Sequence, residues 1–283
     1  MSDPAAPNAA QFEHWNSDEA RRWVTDQDRY DRMLAPFAEA LFAAAPLTTR
    51  SRVLDIGCGT GITTCEAART ASGGTARGLD ISYAMVEGAR TRAVEAGLTN
   101  VTFDVGDAQT ESFAGDVDVV ISRFGVMFFD DPIRAFANIR TALAPTGRIA
   151  FVCWQELLVN PWMAVPAAAM ARHVELPGVG SAHAPGPFAF GDREYVLEIL
   201  DAAGFTDVAV DPMTTSVLLG GGGSLDDAVK FLRSTGIARA LFADVPPATV
   251  ERAVAEIATA IEPYVTADGA RLEGAAWIVT AAA

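Results

Sequence analysis

The chain has one lysine, Lys230, three histidines and three cysteines in 283 residues, and each shortage removes a class of protein. Basic side chains number 21 against 36 acidic ones, a formal charge of −15, and beyond Arg21-Arg22 no Lys/Arg cluster stands out. A polyanion would be repelled over most of such a surface, which argues against nucleic acid as a partner. Cys58, Cys65 and Cys153 are odd in number and match no zinc spacing, so neither a disulfide framework nor a metal site is expected. No apolar run reaches the ~18 residues that a bilayer span needs, and Met1-Ser2-Asp3-Pro4 opens no charged, apolar leader. The expectation is a cytoplasmic protein with no membrane partner. Also missing are the Gly-x-Ser-x-Gly elbow, the His-Glu-x-x-His pair and the paired cysteines that would mark a nucleophile or a catalytic metal.

What is present is a core: 50% of the residues are hydrophobic, and the length suits one α/β domain with insertions. Its organising stretch is Val53-Leu54-Asp55-Ile56-Gly57-Cys58-Gly59-Thr60-Gly61. A short apolar run reads as a buried parallel strand and breaks at glycines spaced two apart, after which a helical pattern begins at Ile62. Glycines admit a ligand close to the backbone, and the free N–H groups of the first helical turn face the same spot. The Gly-x-Gly-x-Gly spacing is not the Gly-x-Gly-x-x-Gly of a dinucleotide fingerprint. Asp55, two residues before the first glycine, would repel a pyrophosphate and suit an ammonium group. Cys58, within the loop, reads as a small packing residue.

Asp-x-Gly-x-Gly-x-Gly at the end of a first strand resembles motif I of the class I S-adenosylmethionine (SAM) methyltransferases. Downstream elements fall into that register. Helix 60–71 is followed by a strand ending at Asp80, a helix over 83–96, a strand over 100–105 and then Gly106-Asp107-Ala108. A fourth strand covers 116–122, a loop 123–132, a helix 132–143 and a fifth strand 148–154. Leu143-Ala144-Pro145-Thr146-Gly147-Arg148 resembles the family's Leu-Lys-Pro-Gly-Gly-Arg turn, and Ala202-Ala203-Gly204-Phe205 its usual lead-in to the sixth strand. The fold implied is α/β: a Rossmann-like, doubly wound, seven-stranded and mostly parallel sheet with a helical lid and cap insertions. The expected division is a lid over 1–45, a SAM-binding core over 46–154, a cap over 155–190, core again over 191–211, a helical insertion over 212–273 and a last strand over 274–283. Residues 1–10 show no pattern and are expected to be disordered. Gly220–Gly223 reads as a flexible tether.

Site residues follow from the same resemblance. It implies that Asp55 orients the ammonium end of SAM and that Gly57 and Gly59 give backbone access, with Cys58 between them. Asp80 takes the ribose hydroxyls, with Ile81 beside it, although an acid there can also cap a helix. Ser82 is the better cap. Asp107 takes the adenine amino group and the backbone N–H of Ala108 a ring nitrogen. His14-Trp15-Asn16 followed by Trp23 resembles the Tyr-Trp-Asn…Trp segment that folds over the cofactor in ubiquinone/menaquinone-biosynthesis-like methyltransferases; ordinary core packing is the competing use of such aromatics. Residues 122–129 leave the switch point of the sheet and should wall both cofactor and substrate.

Methyl transfer needs chiefly alignment and exclusion of water, which agrees with the missing triad and metal. The acceptor is expected to be a small, largely apolar organic molecule, given Met127, Phe128, Phe129, Trp154, Trp162, Met163, Phe188 and Phe190. If its proton must leave, His14, His173 and His183 are the candidate bases by type, and His14, flanked by Glu13 and the aromatic pair, ranks first. Arg123 is the candidate to hold a negative charge. Three other readings compete: a nicotinamide-dependent oxidoreductase, a regulatory binding module, and a SAM-binding enzyme of the same fold that catalyses a non-methylating cyclisation or rearrangement.

Overall fold

A computed structural model describes residues 7–175 and 183–283. The expectations for residues 1–6, and for 176–182 within the cap, lie outside the described residues. Three helices lead: α1 (Ala9–Trp15), α2 (Asp18–Thr25, with Ser17 as N-cap) and α3 (Gln27–Ala44). The alternating core follows as β1 (Arg52–Ile56), α4 (Ile62–Thr70), β2 (Thr75–Asp80), α5 (Tyr83–Glu95), β3 (Val101–Val105), β4 (Val117–Arg123), α6 (Pro132–Ala142) and β5 (Leu143–Trp154). Beyond it come α7 (Pro161–Met170), α8 (Arg193–Ala202), β6 (Thr206–Leu218), α9 (Leu225–Ser234), α10 (Gly236–Phe242), α11 (Pro247–Ile261), the two-residue β7 (Val265–Thr266) and β8 (Gly269–Ala282).

The sheet runs β3-β2-β1-β4-β5-β8-β6, with β7 attached to β8 off that path. The first five strands are parallel, while β8 is antiparallel to both β5 and β6. The seven-stranded, mostly parallel sheet read from the sequence is therefore present. Ile149 through Cys153 are each 0% exposed. Successive strand residues point to opposite faces, so helices must cover both sides, which is why the strand is apolar without alternation.

Three regions differ from the sequence reading, the first being residues 7–10, expected to be disordered, where α1 already begins at Ala9 and Asn8 is buried. Residues 212–218 and 269–273 are strand, not helical insertion: β6 and β8 pair continuously from Ala209↔Thr280 to Leu218↔Arg271, a long ribbon with α9–α11 at its far end. Pro212 is accommodated because β6 is the edge of the sheet, where a proline within a strand is tolerated. The four glycines are not a tether either. Arg29 Nε donates to Gly220 O at 2.9 Å and Arg32 Nε to Gly221 O at 2.8 Å. A Cβ on Gly221 would lie 2.6 Å from Arg29 O, so glycine serves close packing of α3 against the ribbon end. Asn160, fully buried, accepts from Ala275 N at 2.8 Å and from Trp162 Nε1 at 3.1 Å, pinning the start of α7 to β8. Among the described residues, no helix is long and apolar enough to cross a membrane.

Candidate functional site

The motif I loop leaves β1 and turns back on the end of β2. Gly57 N donates to Leu79 O at 2.8 Å and Cys58 N to the same oxygen at 3.2 Å. Gly57 is at φ 64°, and a Cβ there would meet Gly125 Cα at 2.7 Å, so the loop is pressed against the exit of β4. Gly59, at φ 53°, is different: a Cβ there would touch only Met85 Sδ at 3.8 Å. Its N–H donates to Asp80 Oδ2 at 2.8 Å, and Ser82 N donates to Asp80 Oδ1 at 2.9 Å. Burial raises the Asp80 carboxyl, and these backbone donors oppose that rise. Ser82 caps α5 by accepting from Met85 N, which leaves Asp80 free of capping duty. The Cys58 thiol is buried and pushed well up by desolvation, consistent with packing.

Asp55 lies behind this loop, 0% exposed and absent from the wall of the cavity in front of it. Both Thr63 Oγ1 and Thr64 Oγ1 donate to its Oδ2 at 2.7 Å, while Oδ1 is buried with no partner among the described residues. Desolvation lifts its carboxyl to about 6, against the opposing pull of the two threonines and of Arg123. Asp55, expected to orient an ammonium group, thus stands one layer behind the cavity wall.

Asp107, after β3, lines the cavity and accepts at Oδ1 from Gln109 N (2.9 Å) and from Asn8 Nδ2 (2.8 Å). Ala108 and Ile81 line it as well. Ile81 O accepts from Asn16 Nδ2 at 3.0 Å, tying the lid to the end of β2. Arg123 ends β4 with its side chain 12% exposed, and its contact is Asp31 Oδ1 at 3.6 Å. Asp31 Oδ2 accepts more closely from Arg92 Nη2, at 2.7 Å. Burial lowers the Arg123 pKa, and Asp31 opposes that shift.

Much of the remaining lining is aromatic. Trp15 meets Phe128 and Trp23 edge-on at 5.4 and 6.0 Å, and Trp23 stacks on Tyr30 at 3.6 Å. Deeper in, Phe124 stacks on Trp154 at 4.1 Å, and Trp162 leans on Trp154 at 4.9 Å. Phe124 holds φ 62°, an unusual conformation for a bulky residue, and it turns the chain between Arg123 and Gly125. Glu19 of α2 pairs with Arg239 of α10 across the mouth. The cavity so enclosed measures about 760 Å³.

His14, Trp15, Trp23, Gly57, Cys58, Gly59, Asp80, Ile81, Asp107, Ala108 and Arg123 all border this one space. His173 and His183 do not border it, and His183 stacks on Tyr195 instead. Asn8, Glu19, Tyr30 and Asp31 also line it and were missed. Asn8, Glu19 and Asp31 each depend on a partner far away in sequence, Asp107, Arg239 and Arg92, so no local spacing reveals them.

Residues 47–178 match the family model described as a methyltransferase domain. That match covers 132 residues, just under half of the chain. The domain is similar to aklanonic acid methyltransferase DauC of Streptomyces sp. (strain C5), 39% identical over 43% of this chain and 58% of that protein. It also resembles nocamycin O-methyltransferase of Saccharothrix syringae, 32% identical over 55% of this chain and 59% of that protein. The chain therefore spans somewhat under two thirds of the length of these relatives. Among solved structures, phosphoethanolamine N-methyltransferase 2 of Haemonchus contortus in complex with S-adenosyl-L-methionine superposes with a TM-score of 0.55 at 19% identity. That match covers 90% of this chain and 56% of that one, and at such identity it concerns the fold.

Proposed function

We propose that the protein is a SAM-dependent methyltransferase acting on a small, largely apolar organic molecule. The observation that carries this is one cavity with two unlike walls. One part of the lining is the glycine loop with the acids Asp80 and Asp107; the other is aromatic, from the lid (Trp23 on Tyr30) and from the ends of β4 and β5 (Phe124 on Trp154). The fold fits SAM: Gly59 leaves the space a Cβ would fill, and the orphaned Asp55 Oδ1 is an acceptor in want of a donor behind the loop. SAM, when bound, supplies a methyl group already activated on a sulfonium. Gly57 and Gly59 give the methionine end its approach, and Asp55 supports the ammonium from behind through its layer. Asp80 accepts from the ribose hydroxyls, and Asp107 with the Ala108 backbone reads the adenine. Trp15 and Trp23 close the lid and exclude water, which together with alignment is the main contribution to such a displacement.

Arg123 is the one arginine bordering the cavity among the described residues, and its single long contact with Asp31 leaves donors for a negative charge developing on the acceptor. His14, exposed at the rim, is the one histidine placed to receive an acceptor proton. The likeness to the two antibiotic-named methyltransferases supports a secondary-metabolite acceptor, and the formal charge of −15 supports a small molecule over a nucleic acid. The test is mass spectrometry of a panel of planar apolar acceptors incubated with the protein and methyl-deuterated SAM. One labelled methyl group gained by an acceptor is the expected result. Turnover with no change in mass would point to the cyclising alternative, and no SAM binding at all would overturn the proposal.

A further inference from the structure

Asn8 lies in the stretch that the sequence left without a role. It is 3% exposed and sits at φ 54°, a region that asparagine tolerates better than most residues. It precedes α1 in the N-cap position, yet its side chain makes no capping bond. Instead the amide spans the molecule: Nδ2 donates to Asp107 Oδ1 at 2.8 Å, and Oδ1 accepts from Asp130 N at 2.7 Å. The orientation is forced by its neighbours. A carboxylate only accepts and a backbone N–H only donates, so neither end of the amide can be exchanged for the other. With Gln109 N also on Asp107 Oδ1, that oxygen has two donors. Asp107 Oδ2 has no hydrogen bond among the described residues, and the side chain borders the cavity.

From this geometry we infer that Asn8 is a positioning residue for the nucleobase: it locks Asp107 so that Oδ2 is presented to the exocyclic amino group of a 6-aminopurine. The inference rests on the reading of Asp107 as the adenine contact, and it adds a coupling. Asn8 belongs to the lid, so the bond that aims the acid forms only when the start of the lid is seated. Recognition of the base and closure of the lid are then one event. A shorter or differently charged residue at position 8 separates them. Alanine leaves Asp107 with one donor and a free rotamer, and aspartate sets a carboxylate against a carboxylate.

The probes are S-adenosylhomocysteine and S-inosylhomocysteine, which carries an oxygen in place of the 6-amino group, each titrated calorimetrically into the full chain. Losing a charge-assisted donor and facing oxygen with oxygen should cost the wild type roughly tenfold or more in affinity for the inosine form. Asn8→Ala is expected to shrink that preference at least about threefold, and Asn8→Asp, equal in shape to the native side chain, to shrink it further. A role in lid packing alone would weaken both ligands by one factor and leave their ratio unchanged. That unchanged ratio in both variants, with a discriminating wild type, overturns the role of Asn8 only. A wild type that binds SAM analogues without discriminating between them overturns the Asp107 reading and this inference together. Thermal unfolding of each variant shows whether the fold is intact, and the near-isosteric Asn8→Asp keeps the test decisive should alanine loosen the chain end.

Discussion

The two walls of the cavity are built on different principles. The sheet wall consists of strand ends held in register: Asp80 closes β2, Arg123 closes β4, and the glycine loop closes β1, each placed by backbone hydrogen bonds. The cover is assembled from α1–α3, α7, α10 and the loop after β4, whose contacts with the cavity are mostly apolar side chains. Backbone geometry tolerates no intermediate positions, whereas apolar packing adjusts in small steps. Changes on the sheet wall should therefore have large, all-or-none effects, and changes in the cover graded ones.

The sharpest break in that comparison is within the glycine loop itself. Gly57→Ala drives a Cβ to 2.7 Å from Gly125 Cα, backbone against backbone, and should destabilise the fold by more than ~3 kcal/mol. Gly59→Ala carries only the left-handed strain of about 1 to 2 kcal/mol, with no neighbour nearer than 3.8 Å. It should fold and yet lose S-adenosylhomocysteine affinity about tenfold or more, since a Cβ there takes the space the ligand needs. Denaturant unfolding and calorimetry of the two variants settle this; equal stability in both would contradict the packing described for Gly57.

Next in size is a pH effect at Asp55. Its carboxyl stands at about 6 in the folded chain against 3.8 ordinarily, so between those values the folded state holds the proton that the unfolded state has released. Stability from this group is full below pH ~4 and is lost as pH rises to ~6, by roughly 3 kcal/mol. Asp55→Asn should remove that slope and be relatively more stable above pH 6. Urea unfolding from pH 4 to 8 measures it, and an unchanged slope in the variant would sink the assignment. On the proposed role of Asp55, an ammonium bound before it favours the charged form, so S-adenosylhomocysteine should bind more weakly at pH 5 than at pH 7.

On the cover the expectation is modest. Glu19 is nearly buried while Arg239 is 31% exposed, which places their pair between surface and buried limits, at about 1 kcal/mol. Arg239→Ala should speed amide exchange in α2 and α10 and shift acceptor KM by a few-fold with kcat little changed. Exchange confined to one of the two helices would mean that the pair does not join them.

The same contrast explains what the sequence made legible. The glycine loop, the acids after β2 and β3 and the strand order each rest on a local pattern, and α4 or α5 differs from its expected span by two residues or fewer. The β6–β8 ribbon was under-read because Thr214, Thr215 and Ser216 are three polar residues in a row and give no apolar alternation. Gly220–Gly223 were taken for slack because glycine's two uses, freedom and close approach, look identical in a string of letters. Asp31 is one acid on a helix rich in them until Arg92 and Arg123 converge on it.

The ribbon has a further consequence. Its outer end pairs beyond β6 and β8 only with the two-residue β7, and residues 219–268 are strung between Leu218 and Gly269, clear of the parallel ladder. The segment leaves and re-enters at neighbouring points of the ribbon, and it is tied back to α2 and α3 by Glu19 with Arg239 and by Arg29 and Arg32 on Gly220 and Gly221. A change in this block can therefore reach the cavity through Phe231, Leu232 and Thr235 while the strand ends that hold the glycine loop keep their register.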